Sequence, residues 1–337
     1  MSGWNETLAV GACVLLLAGC QDHSHEGLLE DYVTRIARVS RADTELPPAR
    51  QLPPYPPRRA LTLDIPRRNI DVVEFLELHG CDMGALVGLR NSPLGRLQSA
   101  SQRLGYETAW LAAAERCGVD AAEWMTDLGS GKREWLPALF WNATFGAEEM
   151  RVALGASAPP ANGDLADMLR GLSDSLTRVE EGGLVVDDLE RLLGRLRQGS
   201  WVGPARRDWS LWRRYLDAAS AILAGAAPRV CLNRKPTPRT DRLKNVFMKL
   251  YVQQIQPELA RRLGEHEGWV VEIARLSHRL RPVQPAAYRD WFRVVLSPHR
   301  PESEWRRTRQ AVVAHAEAWK ALFAHCNVEP VAALRQD

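Results

Sequence analysis

The sequence lacks a large excess of charge of either sign. Its 44 Lys and Arg residues are matched by 41 Asp and Glu residues, which gives a formal net charge of +3 over 337 residues. Proteins that bind nucleic acid through the phosphate backbone usually carry a much stronger basic bias. We therefore expect no nucleic acid among the partners of this protein.

Low-complexity composition is absent as well. The chain has 24 Gly and 21 Pro residues, close to average usage, and 45% of its residues are hydrophobic. Collagen-like and wholly disordered chains are excluded by this composition, which indicates a folded body with a substantial core.

The familiar catalytic motifs are missing too. The sequence contains no His-Glu-x-x-His, no Ser-x-x-Lys and no Gly-x-Ser-x-Gly. Gly129-Ser130-Gly131-Lys132 resembles part of a phosphate-binding loop, but Arg133 stands where Ser or Thr is required. The sequence favours a protein without cofactor, metal ion or catalysis of its own.

The only strongly apolar stretch near the start is short. Residues 8–19 span about 12 residues, whereas a helix that crosses a bilayer needs about 20. The stretch ends in Leu17-Ala18-Gly19-Cys20, which is typical of a bacterial lipoprotein signal, in which the cysteine is acylated and the peptide is cut before it. We predict a signal peptide over residues 1–19, a tether over residues 20–25 that carries lipid (palmitate) on Cys20, and a periplasmic domain over residues 26–337.

The residue after Cys20 bears on the membrane that holds the anchor. In lipoproteins of this type an Asp directly after the cysteine favours retention in the inner membrane, whereas here that position is Gln21. We expect anchoring at the periplasmic face of the outer membrane.

Four cysteines remain beyond the signal and the lipidation site: Cys81, Cys117, Cys231 and Cys326. An even number in an exported protein indicates two disulfides. Three pairings are possible, and the spacing favours Cys81 with Cys117 and Cys231 with Cys326. A zinc site is the alternative, but paired Cys-x(2–4)-Cys motifs are absent.

The hydrophobic pattern is helical almost throughout. A first helix is followed by a Pro-rich stretch over residues 45–68 that cannot be helical. The later helices are predicted at residues 70–80, 94–117, 133–145, 164–178, 186–197, 207–225, 240–263, 267–280 and 301–325, with Gly264 ending one of them. We predict an all-α fold, a bundle-like helical array with a Pro-rich extended strap near the N-terminus. Two halves, residues 26–155 and 164–337, are possible, and close packing between them is equally compatible with the pattern.

The last predicted helix carries a long apolar stripe that includes Trp305, His315, Trp319 and Cys326. A histidine on such a face is more often a hydrogen-bonded core residue than a catalytic base. We expect His315, and the tryptophans at helical apolar positions, to belong to the core.

Two basic segments are candidate anion-binding sites. In the first, Arg90 and Arg96 flank a helix start at Ser92-Pro93. The second is a rigid loop that carries Arg234, Lys235 and Arg239. Either segment could hold a phosphate or carboxylate; the alternative is that both are structural loops whose arginines pair with local carboxylates.

These segments also carry a family resemblance. The lipoprotein signal, the strap and the cysteine-flanking motifs resemble a family of gammaproteobacterial lipoproteins known only as domain of unknown function 3080. The motifs are Leu78-His79-Gly80-Cys81, Arg90-Asn91-Ser92, Val230-Cys231, Lys235-Pro236-Thr237 and Asn245-Val246-Phe247. The resemblance implies a largely helical envelope protein and assigns no catalytic residue.

The sequence thus favours an outer-membrane-anchored periplasmic lipoprotein that acts as an interaction or scaffolding module. Its expected partners are the membrane, through the lipid, and an unidentified envelope protein or anionic envelope component. The alternative is an envelope enzyme or small-ligand binder that acts on anionic glycan or lipid through the basic segments. Convergence of Arg90, Arg96, Arg234 and Arg239 on one concave pocket would favour this alternative, whereas scattered arginines paired with carboxylates would favour the scaffold.

Overall fold

The computed structural model describes residues 25–66, 68, 70–78, 83–117, 123–156 and 158–329. Over these residues most of the chain is helical, and the named strands form one two-stranded hairpin. The predicted all-α class is confirmed.

The helices are joined by turns, loops and the Pro-rich strap. The helices are α1 (His25–Ser40), α2 (Arg58–Leu61), α3 (Val72–Leu76), α4 (Met83–Asn91), α5 (Pro93–Arg96), α6 (Ala100–Arg116), α7 (Glu123–Ala143), α8 (Glu148–Leu154), α9 (Leu165–Glu180), α10 (Val186–Leu196), α11 (Val202–Ala224), α12 (Ala227–Val230), α13 (Pro238–Val246), α14 (Gln256–Arg279), α15 (Ala286–Val295) and α16 (Glu304–His325). The strands are β1 (Cys231–Leu232) and β2 (Lys235–Pro236); a π-helical segment covers Phe247–Ile255, and a 3₁₀ turn covers Arg281–Val283.

The centre of the core lies where α11 and α16 pack along each other, with α1 against α11 and α13. Apolar residues recur on α11 and α16 at steps of three and four, so each helix presents one continuous apolar face. Trp209, Trp212, Trp305 and Trp319 are all buried there, as the sequence predicts.

The Pro-rich strap crosses the surface near α7 and is fixed to it and to the adjoining turn by hydrogen bonds. The Tyr55 hydroxyl donates to the Phe145 carbonyl at 3.0 Å, and the Trp141 indole donates to the Leu61 carbonyl at 2.8 Å. The expectation that residues 45–68 contain no helix is wrong at one place, because Arg58–Leu61 forms a single turn. Pro57 immediately precedes this turn, and proline is tolerated at a helix start because its missing N–H would be unpaired there.

The C-terminal helices differ more from expectation. We predicted a break at Gly264, but α13, the π-helical segment and α14 run without interruption from Pro238 to Arg279. Gly264 is exposed with open space around it, so its cost is limited to about 1 kcal/mol of helix propensity. The π-helical segment ends at Ile255, two residues before Pro257. Because proline has no backbone N–H, the regular hydrogen bonding of the helix is interrupted there.

The β-hairpin was not predicted. Asn233 and Arg234 form its two-residue turn, and both have positive φ angles, 49° and 61°. Such a turn usually contains glycine, and this sequence has none there. The short helices α4, α8 and α15 were also missed.

The two possible halves share one continuous hydrophobic core, which extends from Leu29 to Cys326. Helix α1, from the first half, lies against α11 and α13 of the second. Within the part of the chain that the structure describes, none of the helices combines the length and apolarity needed to cross a membrane.

Candidate anion-binding site

Helices α6 and α7 form two walls of a cavity. Helix α6 is started by a Ser99–Gln102 capping box, in which each side chain bonds the backbone N–H of the other residue. The helix presents Arg103, Tyr106 and Glu107 on one face, because residues three and four apart lie together on a helix.

The facing helix α7 contributes Leu128, Lys132 and Trp135 at the same kind of spacing. Lys132 belongs to the Gly-Ser-Gly-Lys segment, which lies inside α7 and is not a loop. Lys132 therefore reaches the cavity from a regular helix.

A third wall comes from the first basic segment, at the end of α4 and in α5. Ser92 caps α5 by accepting a hydrogen bond from the Gly95 N–H at 3.0 Å, and the Arg90 guanidinium donates to the Gly95 carbonyl. A side chain at position 95 would collide with the Leu89 carbonyl, so glycine is required for this close approach. Ser92 caps the single turn of α5, and Arg90 and Arg96 line the cavity beside it. The anion site that the sequence predicts at this helix start stays a prediction.

The end of the strap completes the enclosure with Pro66, Arg68 and Ile70. The Arg103 guanidinium donates to the Pro66 carbonyl at 3.0 Å, which fixes the strap against α6. The resulting space, called the cationic cavity below, has a volume of about 550 Å³.

The lining of the cationic cavity carries more positive than negative charge. It contains one carboxylate and five cations, which are Arg68, Arg90, Arg96, Arg103 and Lys132. Arg68 pairs with Glu74, and Arg103 lies 3.9 Å from the Glu107 carboxylate. Within the described residues, neither Arg90 nor Arg96 has a carboxylate partner.

The deepest charges of the cavity are Lys132 and Glu107, whose side chains are 8% and 7% exposed and form an ion pair. The Lys132 ammonium also lies 4.8 Å from the centre of the Trp110 ring and 5.5 Å from that of Tyr106. Burial lowers the pKa of Lys132, and the Glu107 charge and hydrogen bond oppose that effect.

The Tyr106 ring contacts two cations, Lys132 and Arg90. The Arg90 guanidinium lies 5.7 Å from the centre of the Tyr106 ring, and Arg90 is partly buried. Burial, reinforced by the Glu107 charge, raises the pKa of Tyr106 well above its ordinary value. The phenol therefore stays protonated and available as a hydrogen-bond donor.

The second basic segment lies elsewhere. Arg234 and Lys235 are exposed on the β-hairpin, and Arg239 is partly exposed in the first turn of α13. None of the three lines the cationic cavity. The predicted candidates are thus divided. Arg90 and Arg96 line one cavity, and the other three lie on the hairpin loop and the start of α13.

That loop is held by structural contacts. Cys231 and Cys326 form a disulfide with Cα atoms 5.5 Å apart, the pairing that the sequence favours. The Thr240 hydroxyl donates to the Val230 carbonyl at 2.6 Å, and the Asn327 amide donates to the Arg234 carbonyl at 3.0 Å. These contacts fix the position of the hairpin.

Of the other predicted cysteine sites, one lies within the described residues. Cys117 is disulfide-bonded. Cys81, its predicted partner, and the lipidation site Cys20 lie outside the described residues. Among the described residues, no three His, Cys, Asp or Glu side chains form a metal-binding group.

His315 is a core residue. One ring nitrogen lies 2.7 Å from the Tyr32 hydroxyl, and the other lies 3.0 Å from the Ser220 hydroxyl. Burial lowers the pKa of His315 to about 3, so the ring is neutral at physiological pH. This hydrogen-bonded pair of ring nitrogens agrees with the core interpretation of the sequence.

Four charged residues of the cavity are not predicted as site residues from the sequence: Arg68, Arg103, Glu107 and Lys132. The sequence contains a usable signal, because Arg103 and Glu107 are four residues apart on one face of a predicted helix, beside the aromatic residue Tyr106. Charges on a buried face need partners, and Lys132 was considered only as part of a phosphate loop.

A second cationic surface, the arginine groove, lies between α14 and α15. Its volume is about 950 Å³, and its lining includes Arg275, Arg279, Arg281, Arg289, Arg293 and Arg300. Several of these are neutralised locally, since Arg279 pairs with Glu180 at 2.8 Å and Arg275 with Glu272 at 3.1 Å. Most of its arginines, like Arg96, are exposed to water, which weakens their attraction for an anion.

No curated protein matches the chain, and no solved structure does. A family described as "Protein of unknown function (DUF3080)" matches residues 29–330. The match contains the cationic cavity, the arginine groove and the disulfide-linked hairpin. The chain therefore belongs to the DUF3080 family, as its sequence motifs indicated.

Proposed function

We propose that this protein is a lipid-anchored envelope protein whose helical domain binds a small anionic group in the cationic cavity. One observation carries the proposal. Arg90 and Arg96 line a cavity of about 550 Å³ and have no carboxylate partner among the described residues. Arg234, Lys235 and Arg239 also lack a carboxylate partner among the described residues, but they do not line this cavity.

The chemistry of the lining defines the class of ligand. Guanidinium groups bind phosphate and carboxylate oxygens with two parallel hydrogen bonds, and such charge-assisted bonds are among the strongest in proteins. The protonated Tyr106 hydroxyl adds a neutral donor. A phosphate or carboxylate of an envelope glycan or lipid fits these donors.

The sequence favours an interaction or scaffolding module over a ligand binder. Two of the four arginines whose convergence would favour the binder, Arg90 and Arg96, line one cavity, and on this partial convergence we propose the binder. The arginines of the second segment do not join them, so the proposed site depends on the first segment alone.

The anchor and the location rest on the N-terminal sequence. Leu17-Ala18-Gly19-Cys20 supports acylation of Cys20, and Gln21 supports sorting to the periplasmic face of the outer membrane. Metabolic labelling with a clickable palmitate tests the anchor. We expect labelling that Cys20→Ala abolishes, and equal labelling of both proteins would contradict the proposal.

Calorimetric titration of inorganic phosphate into the full chain, purified in detergent at low salt, tests the binding. We expect saturable binding to the wild-type protein that Arg96→Ala weakens about tenfold, which corresponds to the loss of one charge-assisted contact. Arg96 is exposed, so its removal should leave the fold intact.

Arg281→Ala is the matched control, because Arg281 is an exposed arginine of the arginine groove. It should leave phosphate affinity unchanged. Equal weakening by both substitutions would indicate general charge attraction, and an absence of phosphate binding would refute the proposed site.

A further inference from the structure

Large apolar side chains are exposed mainly beside the cationic cavity. Of the ten large hydrophobic residues that are exposed in the described chain, seven lie between positions 72 and 97. They are Val72, Val73, Phe75, Leu76, Leu89, Leu94 and Leu97, and we call them the apolar rim. The most exposed, Leu94 and Leu97, are 80% and 81% accessible.

The apolar rim is interleaved with the cavity lining along the chain. Leu89 directly precedes Arg90, and Leu97 directly follows Arg96, so each leucine lies within one Cα–Cα step of a cavity arginine. Val72 follows the lining residue Ile70 by two positions. Leu89 and Leu97 are therefore next to cavity arginines along the chain, although none of the seven rim residues lines the cavity itself.

We propose that this part of the protein docks on an anionic phospholipid bilayer, with a lipid phosphate in the cationic cavity and the apolar rim in the interfacial region. This inference rests on the proposed anion binding and identifies the bound anion as the phosphate of a lipid. Charge complementarity supports the choice of occupant, because an anionic bilayer surface offers phosphates to the arginines and, just below the headgroups, apolar chains to the leucines.

The shape of the apolar rim also favours a bilayer. Four of its residues belong to α3, where the neighbouring charges, Asp71, Glu74 and Glu77, are acidic. The other three, Leu89, Leu94 and Leu97, lie in α4, α5 and the turn after α5, beside Arg90 and Arg96, so this part of the rim is the one that would face the bilayer. A fluid interface accommodates separate apolar side chains between cations, since Arg side chains keep their charged ends at the headgroup level.

Fluorescence quenching in reconstituted vesicles tests the contact. The full, lipid-anchored chain is labelled with an environment-sensitive fluorophore at Leu94→Cys and reconstituted into vesicles that contain headgroup-proximal spin-labelled lipid. In phosphatidylglycerol vesicles we expect the fluorescence to fall at least twofold, and in pure phosphatidylcholine vesicles we expect less than a fifth of that change.

Val313→Cys is the control label, since Val313 is an exposed apolar residue on α16, outside the apolar rim. It should not be quenched in either vesicle. Arg96→Ala in the Leu94→Cys protein should remove most of the quenching, because the cavity would no longer hold the lipid phosphate. Unchanged quenching in that variant would overturn the proposed headgroup site.

Further outcomes separate this inference from the proposed function. An unquenched Leu94 label together with normal binding of inorganic phosphate would refute the bilayer contact and leave a site for a free anion. If the label at position 94 is not quenched and inorganic phosphate does not bind, both proposals are refuted. A label that becomes buried without lipid, in a way that depends on protein concentration, would indicate an interface between copies of this chain and refute the bilayer contact.

Discussion

Two buried ion pairs show how the same chemistry can serve different purposes in one molecule. In the core, Arg206 of α11 donates two hydrogen bonds to the Glu304 carboxylate, Nε to Oε2 at 2.7 Å and Nη2 to Oε1 at 2.8 Å. In the cationic cavity, Lys132 pairs with Glu107. Each pair is almost completely removed from solvent, with side-chain exposures of 1% and 11% in the core and 8% and 7% in the cavity.

The surroundings of the two pairs differ. Arg206 and Glu304 satisfy each other at the contact between α11 and α16, near the rings of Trp209 and Trp305, whose centres are 5.3 Å apart. The Lys132–Glu107 pair borders an open cavity whose other cations outnumber the carboxylates. Charge becomes available to a ligand only where the local cations exceed their partners, and this condition holds in the cavity.

The largest expected effect comes from breaking the core pair. Arg206→Met leaves the Glu304 carboxylate buried without its partner, and we expect a loss of about 3–5 kcal/mol in the free energy of unfolding, measured in urea. The double variant Arg206→Met with Glu304→Leu removes both charges and should recover most of the loss. A single-variant loss below about 1 kcal/mol would mean that water reaches this pair as well.

Acidification tests whether the aromatic region beside the core pair is dry. His266 accepts a hydrogen bond from the Trp209 indole at 3.0 Å, and burial, helped by the Arg262 and Arg261 charges, lowers the pKa of His266 to about 4. The unfolded chain, whose histidine titrates near 6.5, therefore takes up a proton first as the pH falls. The stabilisation is complete above about pH 6.5 and decreases between about pH 6.5 and 4.

We expect His266 to account for about 2 kcal/mol of the stability lost between pH 7 and pH 5. His266→Gln should flatten the pH dependence of the unfolding free energy by that amount. An unchanged dependence would show that the histidine is solvated in the folded protein.

Breaking the cavity pair should cost less than breaking the core pair. Lys132→Met keeps the apolar contact with Trp110 and Tyr106, and Glu107 retains Arg103 at 3.9 Å and access to the cavity. We expect a loss of about 1 kcal/mol in stability and at least a tenfold loss in phosphate affinity. A stability loss equal to that of Arg206→Met, with phosphate affinity retained, would make the cavity pair another purely structural contact.

The smallest effect on stability is expected at the cavity entrance. Arg96→Ala removes an exposed side chain, so the unfolding free energy should change by less than about 0.5 kcal/mol. Unfolding in urea at low salt checks this value. A stability loss above about 1.5 kcal/mol would indicate that Arg96 is held by the fold and is not free for a ligand.

The sequence predicted the parts of the fold that depend on local periodicity. Trp209, Trp305 and His315 lie on apolar stripes at helical spacing, and the structure buries all three. The continuous helix through Gly264 could not be predicted, because tertiary packing on both sides overrides the weak helix propensity of one glycine.

The candidate site was predictable only in part. Arg90 and Arg96 were identified because they are close together in sequence beside a helix start. Lys132 and Glu107 are 25 residues apart, and only the packing of α7 on α6 brings them together. Sequence spacing alone does not encode which faces of two helices meet.

The most direct test is to locate an oxyanion in a crystal. Crystals of the protein soaked in tungstate, which scatters X-rays anomalously and resembles phosphate in shape, should give a peak between Arg90, Arg96 and Lys132. We expect no peak at Arg206 and Glu304, where the charges already satisfy each other. A cationic cavity without a peak, in a crystal whose arginine groove holds tungstate, would contradict the proposal that the cavity is the binding site.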